Sequence, residues 1–145
     1  MEHSKVLAIL GRNEFQNLIN LKNDSRLKDK KISVVTAFAS GTESIVKDML
    51  DSNNEIELII GSINSFSAPK FINAVKMEVN SNLSFFMDFR YENSTHWKLY
   101  LINPNIVIIG SANFTQVGVS LVRDTLVLIE SHTLYNQYLL EVNNL

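Results

Sequence analysis

The chain has 145 residues, 46% of them apolar, with 5 glycines, 2 prolines and no cysteine. That composition suits one compact domain over 1–145, and it excludes a linker, a disordered tail, disulfides and thiolate metal sites. A formal net charge of −2 and a pI near 5.9 argue against a uniformly basic nucleic-acid-coating face, while leaving room for a local basic groove.

Lys5 to Leu10 is a short apolar strand candidate. Asn13 to Leu27 has helical spacing through Phe15, Leu18, Ile19 and Leu21. Lys31 to Ala39 is rich in β-branched residues and reads as a strand. Gly41 to Leu50 reads as a helix with Thr42 as N-cap and Ile45, Val46 and Leu50 facing inward. Glu55 to Ile60 is another strand. Pro69 suits the first turn of a helix through Phe71, Ile72, Val75 and Met77. Leu83 to Phe89, Thr95 to Ile102, Ile106 to Ile109 and Thr125 to Glu130 complete the strands, with a turn at Asn103-Pro104-Asn105. Ser131 is placed to cap a last helix, His132 to about Val142. Near-continuous apolar strands imply a sheet covered on both faces. The expected fold is α/β, a mixed central β-sheet flanked by helices on both faces. No apolar run is long enough to span a bilayer, and the first residues carry no cleavage site. The expectation is therefore a soluble cytoplasmic protein.

Chemistry concentrates around position 100. On a strand, side chains alternate, so His96 and Lys98 point one way and Trp97, Leu99 and Leu101 the other, into the core. An imidazole can attack phosphorus or protonate a leaving oxygen, and a neighbouring ammonium offsets charge on non-bridging oxygens. The next strand runs into Gly110-Ser111-Ala112-Asn113-Phe114-Thr115. Gly110 lets the backbone turn closely. Ser111 and Asn113, two apart, are able to share a face and offer neutral donors to anionic oxygens. A hairpin turn at Asn103 to Asn105 makes the strands antiparallel, so His96 and Ser111 meet at one end. Taken singly, each is more often a surface or turn residue; together they form the default site. Lys28-Asp29-Lys30-Lys31 reads as a solvated loop. Gly61-Ser62 lacks a phosphate-loop pattern, and no cluster has metal-ligand spacing. The stripe Leu134, Tyr138, Val142 reads as core or dimer interface.

These residues resemble the signature H-x-K-x4-D-x6-G-S-x-N of the phospholipase D superfamily. His96-x-Lys98, Asn103 and Gly110-Ser111-x-Asn113 keep every spacing over eighteen positions, with Asn103 standing where the family has Asp. More weakly, VVTAFASGTESIVKDML and IELIIGSINSFSAPKFI are similar to the strand–helix units of small nuclease-type and restriction-endonuclease members. The resemblance implies a metal-independent phosphodiesterase without cofactors, most simply a nuclease hydrolysing DNA, or RNA, through a phosphohistidine. It implies catalytic roles for His96, Lys98, Ser111 and Asn113, and for Asp124 as the acidic residue that supports the histidine. Lys98, Ser111, Asn113 and Thr115 are the candidate substrate contacts. The motif Asp is structural in the family, so Asn103 implies altered support of the turn.

The family places two such motifs around one phosphate, and this chain holds one H-x-K that is followed by G-S-x-N at the family's spacing. The resemblance therefore implies a homodimer with the site on its axis and coupled titration of two His96 side chains near ~6.5. A nucleic-acid substrate, no membrane, and a targeting or helicase partner domain complete the expected partners. Two alternatives stay open: a phosphodiesterase acting on lipid or another non-nucleic-acid substrate, and a catalytically degenerate dimerisation or nucleic-acid-binding module.

Overall fold

The β-branched and aromatic runs form the strands, and the helices lie in the connections that parallel pairing demands. A computed structural model describes residues 4–11, 27–37, 39–61, 69–78, 82–88, 97–115, 119, 121 and 124–144. In chain order the elements are β1 (Lys5–Leu10), β2 (Lys31–Thr36), β3 (Ala39–Ser40), α1 (Glu43–Asp51), β4 (Glu55–Gly61), α2 (Pro69–Glu78), β5 (Leu83–Asp88), β6 (Lys98–Ile102), β7 (Ile106–Gly110), β8 (Phe114–Thr115), β9 (Leu126–Glu130) and α3 (His132–Asn143).

Seven strands form one sheet in the order β1-β9-β7-β6-β2-β4-β5. β2, β4 and β5 run parallel, with α1 and α2 as the crossovers between them. The remaining pairs are antiparallel, so the sheet is mixed. Helices cover both faces. On one face Ile45, Val46 and Met49 of α1 and Phe71 and Val75 of α2 join a buried cluster with Val34, Leu58, Tyr100, Ile102 and Ile108. On the other, Tyr135 and Val142 of α3 pack with Val35, Ile59, Leu99, Leu101 and Val107. Strict alternation along β6 thus feeds two cores from one strand. Each fully buried Leu or Ile contributes roughly 1.5–3 kcal/mol. No helix among the described residues is long and apolar enough to cross a membrane.

Several local expectations are corrected. The strand expected over Lys31–Ala39 ends at Thr36; Ala37 bends, and Ala39–Ser40 leaves the main sheet to pair in parallel with Phe114–Thr115. Thr42 does precede the first residue of α1, but its side chain makes no cap bond. Its hydroxyl donates to the Phe114 carbonyl at 3.1 Å, because that buried acceptor competes for the same proton. Met49 joins Ile45 and Val46 as the fully buried residues of α1, and Leu50 faces inward as expected, partly buried against the same core. The strand expected from Thr95 begins at Lys98; Thr95 and His96 lie outside the described residues, as does the helix expected over 13–27 except for Leu27, which is buried. The cap of α3 is as expected: Ser131 Oγ accepts from Leu134 N at 3.0 Å.

Asn103 has a definite task. Its Oδ1 accepts from Lys31 N at 2.6 Å, and its own N donates to Lys31 O at 3.1 Å. The β6–β7 turn is thereby tied to the start of β2. An amide oxygen accepts this bond as a carboxylate oxygen would. Replacing Asn103 by Ala is expected to lower stability by about 0.5–1.5 kcal/mol, whereas Asn103→Asp keeps the acceptor and should stay within a few tenths. Urea unfolding midpoints check both; equal losses for the two variants would contradict the assigned bond.

Candidate active site at the ends of four strands

The sheet register brings the candidate residues to one edge. Thr36 is paired with Lys98, Leu99 with Ile109, and Gly110 with Leu126. The end of β2, the start of β6, the end of β7 and the start of β9 are therefore level. Lys98 opens β6 and is partly buried, on the face of Tyr100 by alternation. His96, two residues earlier, lies outside the described residues.

Gly110 is required by close approach rather than by a turn. A Cβ there would collide with Thr125 O and stand 2.9 Å from Leu126 Cα. The tight contact draws Ser111 against β9's leading residues. Ser111 N donates to Thr125 O at 3.0 Å, and its Oγ donates to Asp124 Oδ1 at 2.8 Å while accepting from Thr125 N at 3.1 Å. Asp124, selected in the sequence as support for His96, thus holds Ser111.

Asn113 turns to the other neighbour. Thr36 Oγ1 donates to Asn113 Oδ1 at 3.3 Å and accepts from Phe114 N at 3.0 Å. Ser111 and Asn113 lie beyond β7 and engage opposite sides of the loop instead of sharing a strand face. Phe114, next in the chain, is fully buried in the core, edge-on to Phe71 and Tyr100 at centroid distances of 6.2 and 6.1 Å. Thr115 lies opposite Ser40 in the small sheet, and its N–H donates to Asn113 O at 2.8 Å; its backbone closes the Asn113 turn.

An open cleft of about 340 Å³ adjoins this edge, lined by Trp97, Lys98, Leu99, Ile109, Gly110, Ser111 and Tyr138. Trp97 and Tyr138 meet edge to face at 5.8 Å. Tyr138 of the helical stripe therefore packs on the α3-side core and also walls the cleft. Burial pushes the Tyr100 phenol far above its ordinary value of 10, so it stays neutral beneath the site. Among the described residues no three His, Asp or Glu side chains gather to hold a metal ion.

Two placements matter chemically. Asn103 sits in the turn at the far end of β6 from Lys98, roughly 16 Å away at ~3.3 Å per residue. His132 follows the end of β9, whereas the site lies at its start, so this imidazole is at the opposite end of the sheet. Sequence reasoning missed Thr36 and Tyr138. Nothing in a lone Thr at a strand end reveals the strand beside it, and Tyr138 carries only a helical period.

Gly110→Ala should destabilise by about 1–3 kcal/mol, toward the upper end because the clash is with backbone. Thermal unfolding checks this; a loss below a few tenths would contradict the close approach to Thr125.

Residues 20–145 match the family model described as cardiolipin synthase, PLD-like domain. No curated protein matches the chain in sequence. Its structure is similar to that of Nuc from Salmonella typhimurium, a phospholipase D family member. The TM-score is 0.71 and the identity 15%, over 98% of this chain and 93% of that one. It is also similar to NucT from Helicobacter pylori, with a TM-score of 0.75 and 11% identity over 98% and 95% of the two chains. TrmBL2, an archaeal chromatin protein that binds DNA, shares the fold at a TM-score of 0.55 and 14% identity; the match covers 97% of this chain and 51% of TrmBL2. At these identities the structural likeness establishes a common fold, the mixed sheet sandwiched by helices. With the family model spanning most of its length, the chain belongs to the PLD-like domain family of the phospholipase D superfamily.

Proposed function

We propose that the protein is a metal-independent phosphodiesterase that hydrolyses nucleic-acid phosphodiester bonds, DNA in preference to RNA, in a site shared by two copies of the chain. The observation that carries this reading is the strand register. Lys98 stands level with Gly110, so the Lys98 of H-x-K and the start of G-S-x-N meet at one edge of the sheet.

In the proposed reaction, His96 of one protomer attacks phosphorus. A P–N bond forms and a P–O bond breaks, while the partner's His96 gives its proton to the leaving oxygen. Water, deprotonated by that same imidazole, then attacks phosphorus and breaks the P–N bond. Lys98 and the amide of Asn113 offset charge on the non-bridging oxygens. Ser111, fixed by Asp124 and Thr125, holds the loop that presents Asn113, and Thr115 closes that loop.

The need for two copies follows from the supply of histidines. The chain has three. His132 is at the wrong end of the sheet, and of the two H-x-K tripeptides, His3-Ser4-Lys5 and His96-Trp97-Lys98, only the second is followed by Asn103 and G-S-x-N at the family's spacing. A homodimer with the site on its axis supplies the second imidazole.

A second reading, a binding module without catalysis, is favoured by the Asn at the family's Asp position and by the shared fold of the chromatin protein TrmBL2. Against it, Asn103 makes its bond to Lys31 far from Lys98, so the substitution touches the turn and not the chemistry.

Incubation in EDTA with single- and double-stranded DNA, RNA and a chromogenic phosphodiester separates the readings. Cleavage is expected, with His96→Ala reducing it roughly a thousandfold or more. Cleavage that requires a divalent metal or persists in His96→Ala would remove the proposal, and binding without cleavage would favour the second reading.

A further inference from the structure

We propose that Thr36 is a positioning residue for the phosphate contact made by Asn113, an assignment that rests on the phosphodiesterase reading above. Thr36 ends β2 and is 1% exposed. It lies directly across the sheet from Lys98, 77 positions from Asn113 in the chain. Its single hydroxyl makes two bonds into the G-S-x-N loop. It accepts from Phe114 N at 3.0 Å, which fixes the height of the loop over the strand end. It donates to Asn113 Oδ1 at 3.3 Å, which fixes the carboxamide about its last torsion.

That second bond goes with the amide orientation in which the substrate meets the donor end. A carboxamide carries an acceptor and a two-proton donor on opposite arms. With Oδ1 held by the Thr36 hydroxyl, the Nδ2 arm is turned away from Thr36. Asn113 is only partly buried, which leaves its side chain within reach of a ligand, and the arm turned from Thr36 is the hydrogen-bond donor. A phosphate presents acceptors alone. In the opposite orientation Nδ2 would face the Thr36 hydroxyl, which is able to accept from it, and Oδ1 would meet the phosphate oxygens; the bond observed is the one that presents the donor. Thr42, also buried, donates to Phe114 O at 3.1 Å. Two threonine hydroxyls therefore satisfy both polar groups of Phe114, and the one on Thr36 also reaches the neighbouring functional amide.

The test compares wild type, Thr36→Ser, Thr36→Val, Asn113→Ala and the double variant Thr36→Val/Asn113→Ala on one chromogenic phosphodiester, each well below its melting temperature. Thr36→Val, which keeps the shape but removes the hydroxyl, should lose on the order of tenfold in kcat/KM. Thr36→Ser should retain wild-type values. The double variant should fall no further than Asn113→Ala alone, because Thr36 acts through that amide. Should Thr36→Val fail to fold, Thr36→Cys, with a weak sulfur donor, carries the same comparison. Unchanged kcat/KM in Thr36→Val, or losses that multiply in the double variant, would overturn the assignment while leaving the phosphodiesterase reading in place. A wild-type protein that cleaves nothing overturns both.

Discussion

The register of the β6–β7 hairpin is the constraint on which the rest depends. Ile102 faces Ile106 and Leu99 faces Ile109, so a three-residue turn leaves Lys98 and Gly110 level at the open end. A slip of one residue would carry Lys98 to the α3 face and drive Leu99 and Leu101 out of their core. Both faces of this hairpin are buried, which makes the register expensive to change. Asn103 adds a specific lock by binding both backbone polar groups of Lys31. The same hairpin is the scaffold on which β2 and β9 are laid, and each contributes its own end to the site.

The loop after β7 is held from two sides, and the division is chemical. β9's leading residues take Ser111 through Asp124 and Thr125. The β2 side takes Asn113 and Phe114 through Thr36 and Thr42. Phe114, wedged between Phe71 and Tyr100, ties the loop to the core below. Carboxylate, hydroxyls and amide are thus held in place by the fold itself; in the proposed reaction this is the condition under which neutral donors contribute most to an anionic transition state. The cleft beside Trp97 and Tyr138 continues from this edge along the α3 face.

Much of this was legible in the sequence. Apolar β-branched runs located the central strands, the Asn-Pro-Asn turn located the hairpin, and alternation assigned Leu99 and Leu101 to the core opposite Tyr100. The spacing of Lys98, Gly110, Ser111 and Asn113 identified the edge at which they meet. What stayed hidden depends on contacts between distant segments. Thr36 looks like any β-branched strand residue until β2 is known to lie beside β6. Thr42 looks like a helix cap until Phe114 presents its carbonyl. Gly110 suggests a turn until the proximity of Thr125 is seen. The break after Thr36 has no glycine or proline to announce it; it follows from the pairing of Ala39 and Ser40 with β8.

The central claim is that one phosphate is handled by two identical chains, each supplying His96. Its most direct test is to co-refold equal amounts of wild type and His96→Ala and measure cleavage against the same total of wild type alone. A shared site makes every mixed dimer inactive, so activity should fall to about a quarter. Activity of about a half would mean that each chain works alone, and would contradict the account.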